Sequence, residues 1–400
     1  MRIIWLSRVP WASGGYSNQT EVFAPRLRDA GHEIAIIGYR SDCRGIVDWK
    51  GIPVYPSVPN DPRHEGIVAR HYEHWRADLL ISLHDAQDTL NGAALRQHGT
   101  DLNWALWFPV DAEPLSSIVL KRLATVSQPF VFSRFGERVA REAGVDVRFV
   151  PHGIDTGIFQ PGDRLAARAE LGWPTDKFIA GIVAANSGTR KSFVENVQGF
   201  ARFHRQHPDS LLYLHTQEIT PSGIDLRATC LKAGLKVGRD VLFCDPYLDF
   251  VGIAQTDLAT IYSGIDVLQL VTRGEGFGIP LVEAQACGTP VILGDWSAMS
   301  ELLFAGWKVE REESALMSFP DGSHWHVPDP GAIADRLAQA YRASREPQEA
   351  ERLREAAREG ALGFDADWVT REYWAPFLAE MEERFAAVPA SGEAAEERRG

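Results

Sequence analysis

The sequence predicts an α/β protein with two Rossmann-like domains and a cleft between them. Short apolar strands alternate with helical segments, the alternation starts afresh near residue 178, and a charged, turn-rich stretch at 157–177 separates the two series. The length of 400 residues also exceeds the usual size of one hydrophobic core. Such alternation implies parallel sheets covered on both faces, with ligands at the carboxyl ends of the strands.

The first series opens with a predicted βαβ unit. RIIWL is a strand, a helix runs from about Asn18 to Ala30 and stops at Gly31, and EIAIIGY is the next strand. The loop SRVPWASGGYS joins the first strand to the helix. Weaker strands follow at 78–83, 103–108 and 130–133. Together these elements predict a first Rossmann-like domain over residues 1–160.

The second series predicts another Rossmann-like domain over residues 161–365. FIAGIVAA is its first strand, and a helix follows at about 192–206. Further strands are LLYLHT, VLFCD, VLQLV and PVILG. The two domains leave a cleft in which a ligand would contact both sheets.

The C-terminal segment at 366–387 is a predicted helix rich in aromatic residues. These residues require another part of the protein to pack against, so we expect the helix to cross back onto the first domain. Asp365 and Asp367 have the DxD spacing of metal-dependent transferases, but their place just before this helix indicates N-capping instead. The tail at 388–400 is small and polar, which predicts disorder.

Composition narrows the function. A net charge of −13 argues against a nucleic-acid backbone or an anionic membrane as the main partner, so a small or neutral molecule is expected. No apolar run approaches the roughly 18 residues of a transmembrane helix, and the N-terminal apolar run is too short for a signal peptide. The cysteines lack metal-ligand or disulfide spacing, which predicts a reducing cytoplasm; they are Cys43, Cys230, Cys244 and Cys287.

The stretch RGEGFGIPLVEAQACG at 273–288 follows a predicted buried strand and contains a predicted helix start at Pro280. The free amides of Phe277, Gly278 and Ile279 would then cluster at a helix N-terminus. Such a cluster is a favourable place for an anion such as phosphate.

Two glutamates, Glu275 and Glu283, bracket this anion site. A carboxylate repels phosphate, but its acceptor oxygens match neighbouring hydroxyls such as a ribose or sugar diol. The pattern therefore predicts a sugar nucleotide, with phosphate on the amides and hydroxyls on the carboxylates. The same glutamates also suit a capped surface helix, whose dipole favours acidic residues near its start. On these residues alone both interpretations remain open.

Three motifs resemble one known family. EGFGIPLVEAQACGTPVI resembles the donor-site signature of retaining GT-B glycosyltransferases of the family 4-like group. SGGYSNQTEVFAPRLRDAGHEI resembles that family's glycine loop and first helix, and FVPHGIDTGIFQP resembles its interdomain segment. The motifs occur in the expected order, and the resemblance spans nearly the whole chain. It implies the GT-B fold with a C-terminal helix crossing back to the first domain.

The resemblance also implies roles for particular residues. Glu283 matches the glutamate that holds the ribose hydroxyls, and Glu275 matches the one beside the donor sugar. Gly14 and Gly15 would let the first domain's backbone approach the diphosphate. Backbone groups at the sugar and diphosphate would come from Gly276, Phe277, Gly278 and Ile279.

Fixed cations are expected at the diphosphate leaving group, since no metal or other cofactor is expected and the nucleotide sugar is a substrate. The segment ANSGTRKSF supplies Arg190 and Lys191. The family pattern places an arginine several residues before the lysine, but here Asn186 stands near that place. Arg190 is therefore either the second cation or a solvated surface charge.

Many relatives carry a histidine near the transferred sugar, after a central strand of the first domain. Here the corresponding position holds Asp111, and His84 follows the preceding strand. Each is a candidate catalytic residue together with Glu275, Arg190 and Lys191, whereas His152 is expected near the hinge.

The expected function is retaining transfer of a sugar from a UDP- or GDP-sugar to a hydroxyl of a small-molecule, saccharide or glycan acceptor. A GT-B sugar-nucleotide epimerase would act without an acceptor, and a non-catalytic sugar-nucleotide binding protein would bind the donor without turnover. A Rossmann dehydrogenase is disfavoured because no GxGxxG follows a strand.

Overall fold

The chain is built around two sheets of mainly parallel strands. In the computed structural model, residues 1–39, 45–57, 65–91 and 102–386 are described. Neighbouring residues of the first strand enter different apolar clusters: Ile3 and Trp5 join one, and Ile4 and Leu6 the other. The sheet is therefore covered on both faces, as the continuous apolar character of its strands predicts.

The first sheet has eight strands among the described residues, in the order β3-β4-β2-β1-β5-β6-β7-β8. All neighbours are parallel except β3 and β4. The strand order reverses beside β1, so the carboxyl end of β1 faces the crevice where ligands bind in such sheets. The strands are β1 Arg2–Arg8, β2 Glu33–Tyr39, β3 Val47–Trp49, β4 Ile52–Pro56, β5 Leu79–Leu83, β6 Trp104–Phe108, β7 Gln128–Val131 and β8 Arg148–Phe149.

The second sheet has six described strands, all parallel, in the order β11-β10-β9-β12-β13-β14. Its order reverses between β9 and β12, so the loops after these strands lie at its switch point. A separate antiparallel hairpin pairs β15 with β16. The strands are β9 Phe178–Val183, β10 Ser210–His215, β11 Val241–Phe243, β12 Val267–Leu270, β13 Val291–Gly294, β14 Gly306–Val309, β15 Leu316–Ser318 and β16 His324–His326.

Helices connect these strands within the described residues. They are α1 Gly15–Asp29, α2 Glu65–Trp75, α3 Ser117–Leu123, α4 Arg134–Glu142, α5 Arg164–Leu171, α6 Phe193–His204, α7 Leu226–Lys232, α8 Pro246–Val251, α9 Gln255–Gly264, α10 Ile279–Ala286, α11 Pro330–Ser344, α12 Pro347–Ala361, α13 Ala366–Val369 and α14 Ala375–Ala386. Short 3-10 turns occupy Ala298–Glu301 and Leu362–Phe364, and a π-helical turn at Thr370–Trp374 joins α13 to α14. No helix among the described residues is long and apolar enough to cross a membrane.

The C-terminal helical segment crosses back to the first domain, as predicted. Trp374 is fully buried, and its ring lies 5.8 Å from that of Trp5 and 5.1 Å from that of Trp107. Asp365 caps the segment by accepting from the amides of Asp367 and Trp368. The capping role predicted for this FDADW sequence is confirmed at Asp365.

Asp367 has a different partner, because its carboxylate pairs with Arg26 of α1 at 2.6 Å. The pair adds a polar contact between the crossing segment and the first domain. The predicted fold class, two Rossmann-like domains with a crossing C-terminal helix, is confirmed.

Several element boundaries differ from the predicted ones. Helix α1 begins at Gly15 rather than Asn18, because Gly14 occupies the N-cap position with φ +117°. The strand predicted at 130–133 runs from Gln128 to Val131, because Ser133 caps α4 by accepting from an amide of its first turn. The strands β3, β4, β8, β14, β15 and β16 were not predicted, because each is short and contains a polar residue or a proline, which weakens the apolar pattern.

The predicted domain boundaries at 160 and 365 stay predictions. The predicted disordered tail and Cys43 lie outside the described residues. The other three cysteines are buried free thiols.

Candidate active site

A cleft of about 1370 Å³ lies between the two sheets at the carboxyl ends of their strands. All the site residues predicted from the sequence line it, including His152. The loops after β1, β9 and β12 all line it, and these strands flank the switch points of the two sheets. The fold therefore brings together residues that are up to 269 positions apart, from Gly14 to Glu283.

The glycine loop after β1 faces the N-terminus of α10. Gly14 has φ +117°, a conformation that a side chain would strain. A Cβ on Gly15 would lie 3.2 Å from Cδ1 of Ile279, the first residue of α10. The N-termini of α1 and α10 thus approach each other across the cleft, and both carry free backbone amides. Two helix N-termini at one place favour a ligand with more than one negative charge.

Glu275 is the central charge of the cleft. It is 4% exposed, its Oε1 accepts from Lys191 Nζ at 2.6 Å, and its Oε2 accepts from Arg190 Nη1 at 3.1 Å. Burial acts to raise the pKa of Glu275, but Lys191 and Arg190 together hold it below its ordinary value. Ser297 fixes the backbone here by accepting from the Glu275 amide at 3.1 Å. The carboxylate is therefore ionised and held in place.

The charges around Glu275 balance. Arg190 Nε also lies 3.7 Å from an oxygen of Asp111, so two cations face two carboxylates. Burial lowers the pKa of Lys191, and the carboxylate of Glu275 opposes that shift. Arg190 is therefore not a solvated surface charge, because its guanidinium pairs with carboxylates from both domains.

Asn186 takes no part in this charge network. It is buried, its amide donates to the carbonyls of Gln217 and Ile224, and its side-chain oxygen accepts from the amide of Ile224. The side chain thus holds two neighbouring segments together. It leaves Arg190 and Lys191 as the cations of this loop.

The residues after Glu275 bring backbone into the cleft. A Cβ on Gly276 would collide with Pro109, so only glycine allows this close approach to the first domain. The ring of Phe277 packs against the ring of His152, with centroids 5.1 Å apart. Gly278 is the N-cap of α10 with φ +111°. The helix N-terminus that the sequence predicts therefore lies at Gly278 and Ile279.

Glu283 lies on α10 and is also 4% exposed, so the surface-helix interpretation of the two glutamates is wrong. Its Oε2 accepts from the hydroxyl of Tyr262 at 2.8 Å. Burial raises the pKa of Glu283 to about 7, and the hydrogen bond from Tyr262 opposes the rise. Glu283 is therefore a carboxyl group that changes charge near neutral pH. Its other oxygen remains available to a ligand hydroxyl.

The first domain supplies the opposite wall. His84 and Asp111 both line the cleft, and the His84 ring packs on that of Tyr39 with centroids 4.6 Å apart. Burial raises the pKa of Asp111, and Arg190 opposes the rise. His152 is almost fully buried between aromatic rings, and burial lowers its pKa well below the ordinary value. His152 is therefore neutral and cannot act as a cation.

Sequence reasoning missed at least five residues of the site. Arg8 ends β1 and lines the cleft beside Gly14, and the hydroxyl of Tyr16 donates to Asp85 at 3.0 Å. The positions of Arg8 and Tyr16 flanking the glycine pair were a usable signal. Tyr262 and Ser297 position the two glutamates through contacts 21 and 22 positions away, for which the sequence offers no local pattern.

The sequence and structure match known glycosyltransferases. Residues 248–360, which include both cleft glutamates, match the family model of glycosyl transferases group 1. The D-inositol 3-phosphate glycosyltransferase of Segniliparus rotundus is 28% identical over 180 residues, covering 42% of this chain and 38% of that protein. Its counterpart from Mycobacterium tuberculosis is 33% identical over 165 residues, covering 38% and 29%. The chain therefore matches less than two fifths of the length of these relatives.

Solved structures cover nearly the whole chain. Sucrose-phosphate synthase from Thermosynechococcus elongatus has a TM-score of 0.74 at 18% identity, covering 97% of this chain and all of that one. Anabaena HepE in complex with UDP and glucose has a TM-score of 0.70 at 16% identity, covering 95% and 100%. These two similarities show the fold. With the group 1 match, they confirm the predicted resemblance to GT-B glycosyltransferases.

The raised pKa of Glu283 predicts a stability effect of pH. Between the ordinary pKa of 4.5 and the folded value of about 7, the folded chain keeps a proton that the unfolded chain has released. The contribution of Glu283 to the free energy of unfolding therefore falls as pH rises through this window, by up to about 1.4 kcal/mol per pH unit. Glu283→Gln keeps an acceptor for Tyr262 but cannot titrate, so it should lack this component.

Urea unfolding of both proteins at about pH 5 and pH 8 measures the difference. The difference in stability between the variant and the wild type should shift in favour of the variant from pH 5 to pH 8. Parallel pH profiles of the two proteins would show that Glu283 has an ordinary pKa.

Proposed function

We propose that this chain, a GT-B protein whose second domain carries the group 1 glycosyltransferase segment, moves a sugar from a nucleotide diphosphate donor to an acceptor hydroxyl with retention of the anomeric configuration. The observation that carries the proposal is the buried carboxylate of Glu275 between Lys191 and Arg190 at the meeting point of two helix N-termini. This arrangement offers cations and amides to a diphosphate, and acceptors to the sugar beside it.

The diphosphate would lie between the glycine loop and α10. Lys191 and Arg190 face this position, and the amides at the start of α10 add partial positive charge. The charges of Lys191 and Arg190 are balanced by those of Glu275 and Asp111. A bound diphosphate therefore brings an excess of negative charge. Arg8 beside the glycine loop would help to neutralise that charge from the first domain. These fixed groups would stabilise the leaving diphosphate as the glycosidic bond breaks.

The nucleoside would extend toward Glu283. An ionised carboxylate only accepts hydrogen bonds, which suits the hydroxyls of a ribose, and Tyr262 already orients the group by donating to its Oε2. The ionised form of Glu283 would be the better acceptor, so nucleotide binding should strengthen as pH rises through about 7. A uridine nucleotide is the first donor to test, since HepE is known in complex with UDP and glucose.

The donor sugar would lie beside Glu275, with the first-domain wall opposite. Asp111 can accept hydrogen bonds from its hydroxyls, His84 can accept or donate them, and Asp85 lies next to them. Three acidic or neutral polar groups on this wall favour an acceptor with hydroxyls. We propose a small-molecule, saccharide or glycan acceptor.

Retention would follow from a front-face reaction. The bond from the anomeric carbon to the diphosphate oxygen breaks, and the acceptor oxygen bonds to the same face of that carbon. The acceptor's proton passes to the departing phosphate oxygen, so no side chain of the cleft has to act as a base. Closure of the two domains would exclude water during this step.

The proposed setting is the cytoplasm. The three described cysteines are free thiols, which suits a reducing compartment. The net charge of −13 supports a partner other than a nucleic-acid backbone.

Turnover with a panel of nucleotide sugars and acceptors tests the proposed reaction. Donors that raise the thermal unfolding temperature would be incubated alone and then with hexoses, sugar phosphates and inositol phosphates. Transfer should require an acceptor, and NMR should show the donor's anomeric configuration in the product. An inverted product would contradict retention. Epimerised donor without an acceptor, or donor binding with no turnover, would favour the two alternative functions.

The two glutamates should have separable effects. Glu283→Gln should weaken UDP at about pH 8 by ten- to a hundredfold, because a charge-assisted hydrogen bond contributes roughly 1.5–3 kcal/mol. Glu275→Gln should change the affinity for UDP little, because glutamine keeps a hydrogen-bond acceptor for Lys191 and Arg190 and the carboxylate is assigned to the sugar. Its kcat should nevertheless fall strongly, since the transferred sugar carries the developing charge.

Calorimetry on folded variants measures the first effect and steady-state kinetics the second. Equal weakening of UDP in the two variants would contradict the assignment of the glutamates to different parts of the donor.

Turnover should not depend on Mg²⁺ or Mn²⁺, because Lys191, Arg190 and the helix amides are proposed to neutralise the diphosphate. After dialysis against buffer free of Mg²⁺ and Mn²⁺, the rate should be the same with and without added Mg²⁺. Loss of activity in EDTA that Mg²⁺ or Mn²⁺ restores would show that a hard cation holds the diphosphate.

A further inference from the structure

A second cluster of ionisable residues lies where the β15–β16 hairpin meets the first domain. Glu113, His324 and His326 each place a possible ligand atom within 4.8 Å of the other two. Glu113 follows β6 of the first domain, whereas the histidines belong to β16 of the second. The cluster therefore spans the two domains.

Backbone pairing explains why the three side chains converge. Glu113 and His324 form an antiparallel bridge, with the amide of His324 donating to the carbonyl of Glu113 at 2.9 Å. Directly paired residues place their side chains on the same face, and His326 returns to that face two positions later. The convergence is thus a consequence of strand geometry and does not rest on one flexible side chain.

His326 is the least satisfied member of the cluster. It is 8% exposed, and neither of its ring nitrogens has a hydrogen-bond partner among the described residues. An unpaired buried polar group is unfavourable, because it has lost its hydrogen bonds to water. A bound metal ion would give one of these ring nitrogens a partner.

Glu113 is held as metal-bound carboxylates usually are. Its Oε2 accepts from Arg138 Nη2 at 2.7 Å, which orients the group and leaves Oε1 for a ligand. Arg138 also pairs with Glu142, so its charge is shared between two carboxylates. The guanidinium of Arg138 beside Glu113 therefore does not prevent a metal ion from binding there.

We propose that Glu113, His324 and His326 bind one Zn²⁺ ion, which joins the first domain to the β15–β16 hairpin of the second. Two imidazoles and a carboxylate are a donor set that zinc accepts, with roughly 2.0–2.2 Å to each ligand. Ligand atoms around a tetrahedral zinc lie roughly 3.4 Å apart at these bond lengths. The present separations are up to 4.8 Å, so the side chains would move closer together when the ion binds.

The zinc ligands lie close to two segments that line the cleft. Glu113 lies two residues after Asp111, and the backbone amide of His326 donates to the carbonyl of Arg273, two residues before Glu275. Zinc would thus hold the loop that carries Asp111 against the segment that leads to Glu275. This structural role is separate from the diphosphate, so removal of Mg²⁺ does not bear on it.

Metal titration of the full chain tests the proposal. After chelator treatment and dialysis, the protein should take up one equivalent of Zn²⁺ by calorimetry, and Co²⁺ should give the intense visible absorption of a tetrahedral site. Zn²⁺ should also raise the thermal unfolding temperature, because it binds only the folded state. His326→Gln and Glu113→Gln should each lower the affinity at least tenfold, since even residues behind the ligands contribute that much.

His74→Gln is the matched control, because His74 is an exposed histidine of α2 outside the cluster. It should bind Zn²⁺ like the wild type. The circular dichroism spectra of the metal-free variants establish whether they are folded. If His326→Gln is not folded, Glu113→Gln provides the comparison. No stoichiometric uptake by the wild type, or equal affinity in the wild type and a folded cluster variant, would overturn the zinc site.

Discussion

The ion pairs of the buried Glu275 carboxylate are the interaction on which the cleft depends. Glu275 lies in the loop after β12, whereas Lys191 and Arg190 lie in the loop after β9, and these strands flank the switch point of the second sheet. Removing one partner from a buried ion pair typically costs 3–5 kcal/mol, because it leaves an uncompensated charge. The pairs therefore fix two loops against each other before any ligand arrives. Arg190 extends the same network to Asp111 of the first domain.

This network prepares the cleft for a ligand that carries both negative charge and hydroxyls. The cations already line the cleft, and the N-termini of α1 and α10 approach each other beside them. Glycines keep the walls close, because a Cβ at Gly15 would approach Ile279 and one at Gly276 would collide with Pro109. Little rearrangement of the backbone is then needed to surround a diphosphate. Such preorganisation is the usual source of stabilisation for a leaving group.

The sequence was sufficient for the architecture and for most positions of the site. Apolar runs predicted the central strands, and the glycine pair and the EGFG segment predicted which loops face the cleft, because these signals are local. It was insufficient for the environment of each group. Glu283 was expected to be an ionised carboxylate, but its burial beside Tyr262 raises its pKa to about 7. Likewise, nothing near His326 in the sequence indicates Glu113, since strand pairing between the domains brings them together.

The claim that Lys191 and Arg190 hold the diphosphate is tested most directly by the affinities of UDP and UMP, or of GDP and GMP if the cleft prefers guanine. Calorimetry on the wild type, on Lys191→Ala and on a control variant at the exposed Lys232 would give the contribution of the second phosphate. In Lys191→Ala the ratio of the two affinities should fall by about ten- to a hundredfold, and in Lys232→Ala it should stay unchanged. The same ratio in the wild type and in Lys191→Ala would show that the diphosphate binds elsewhere.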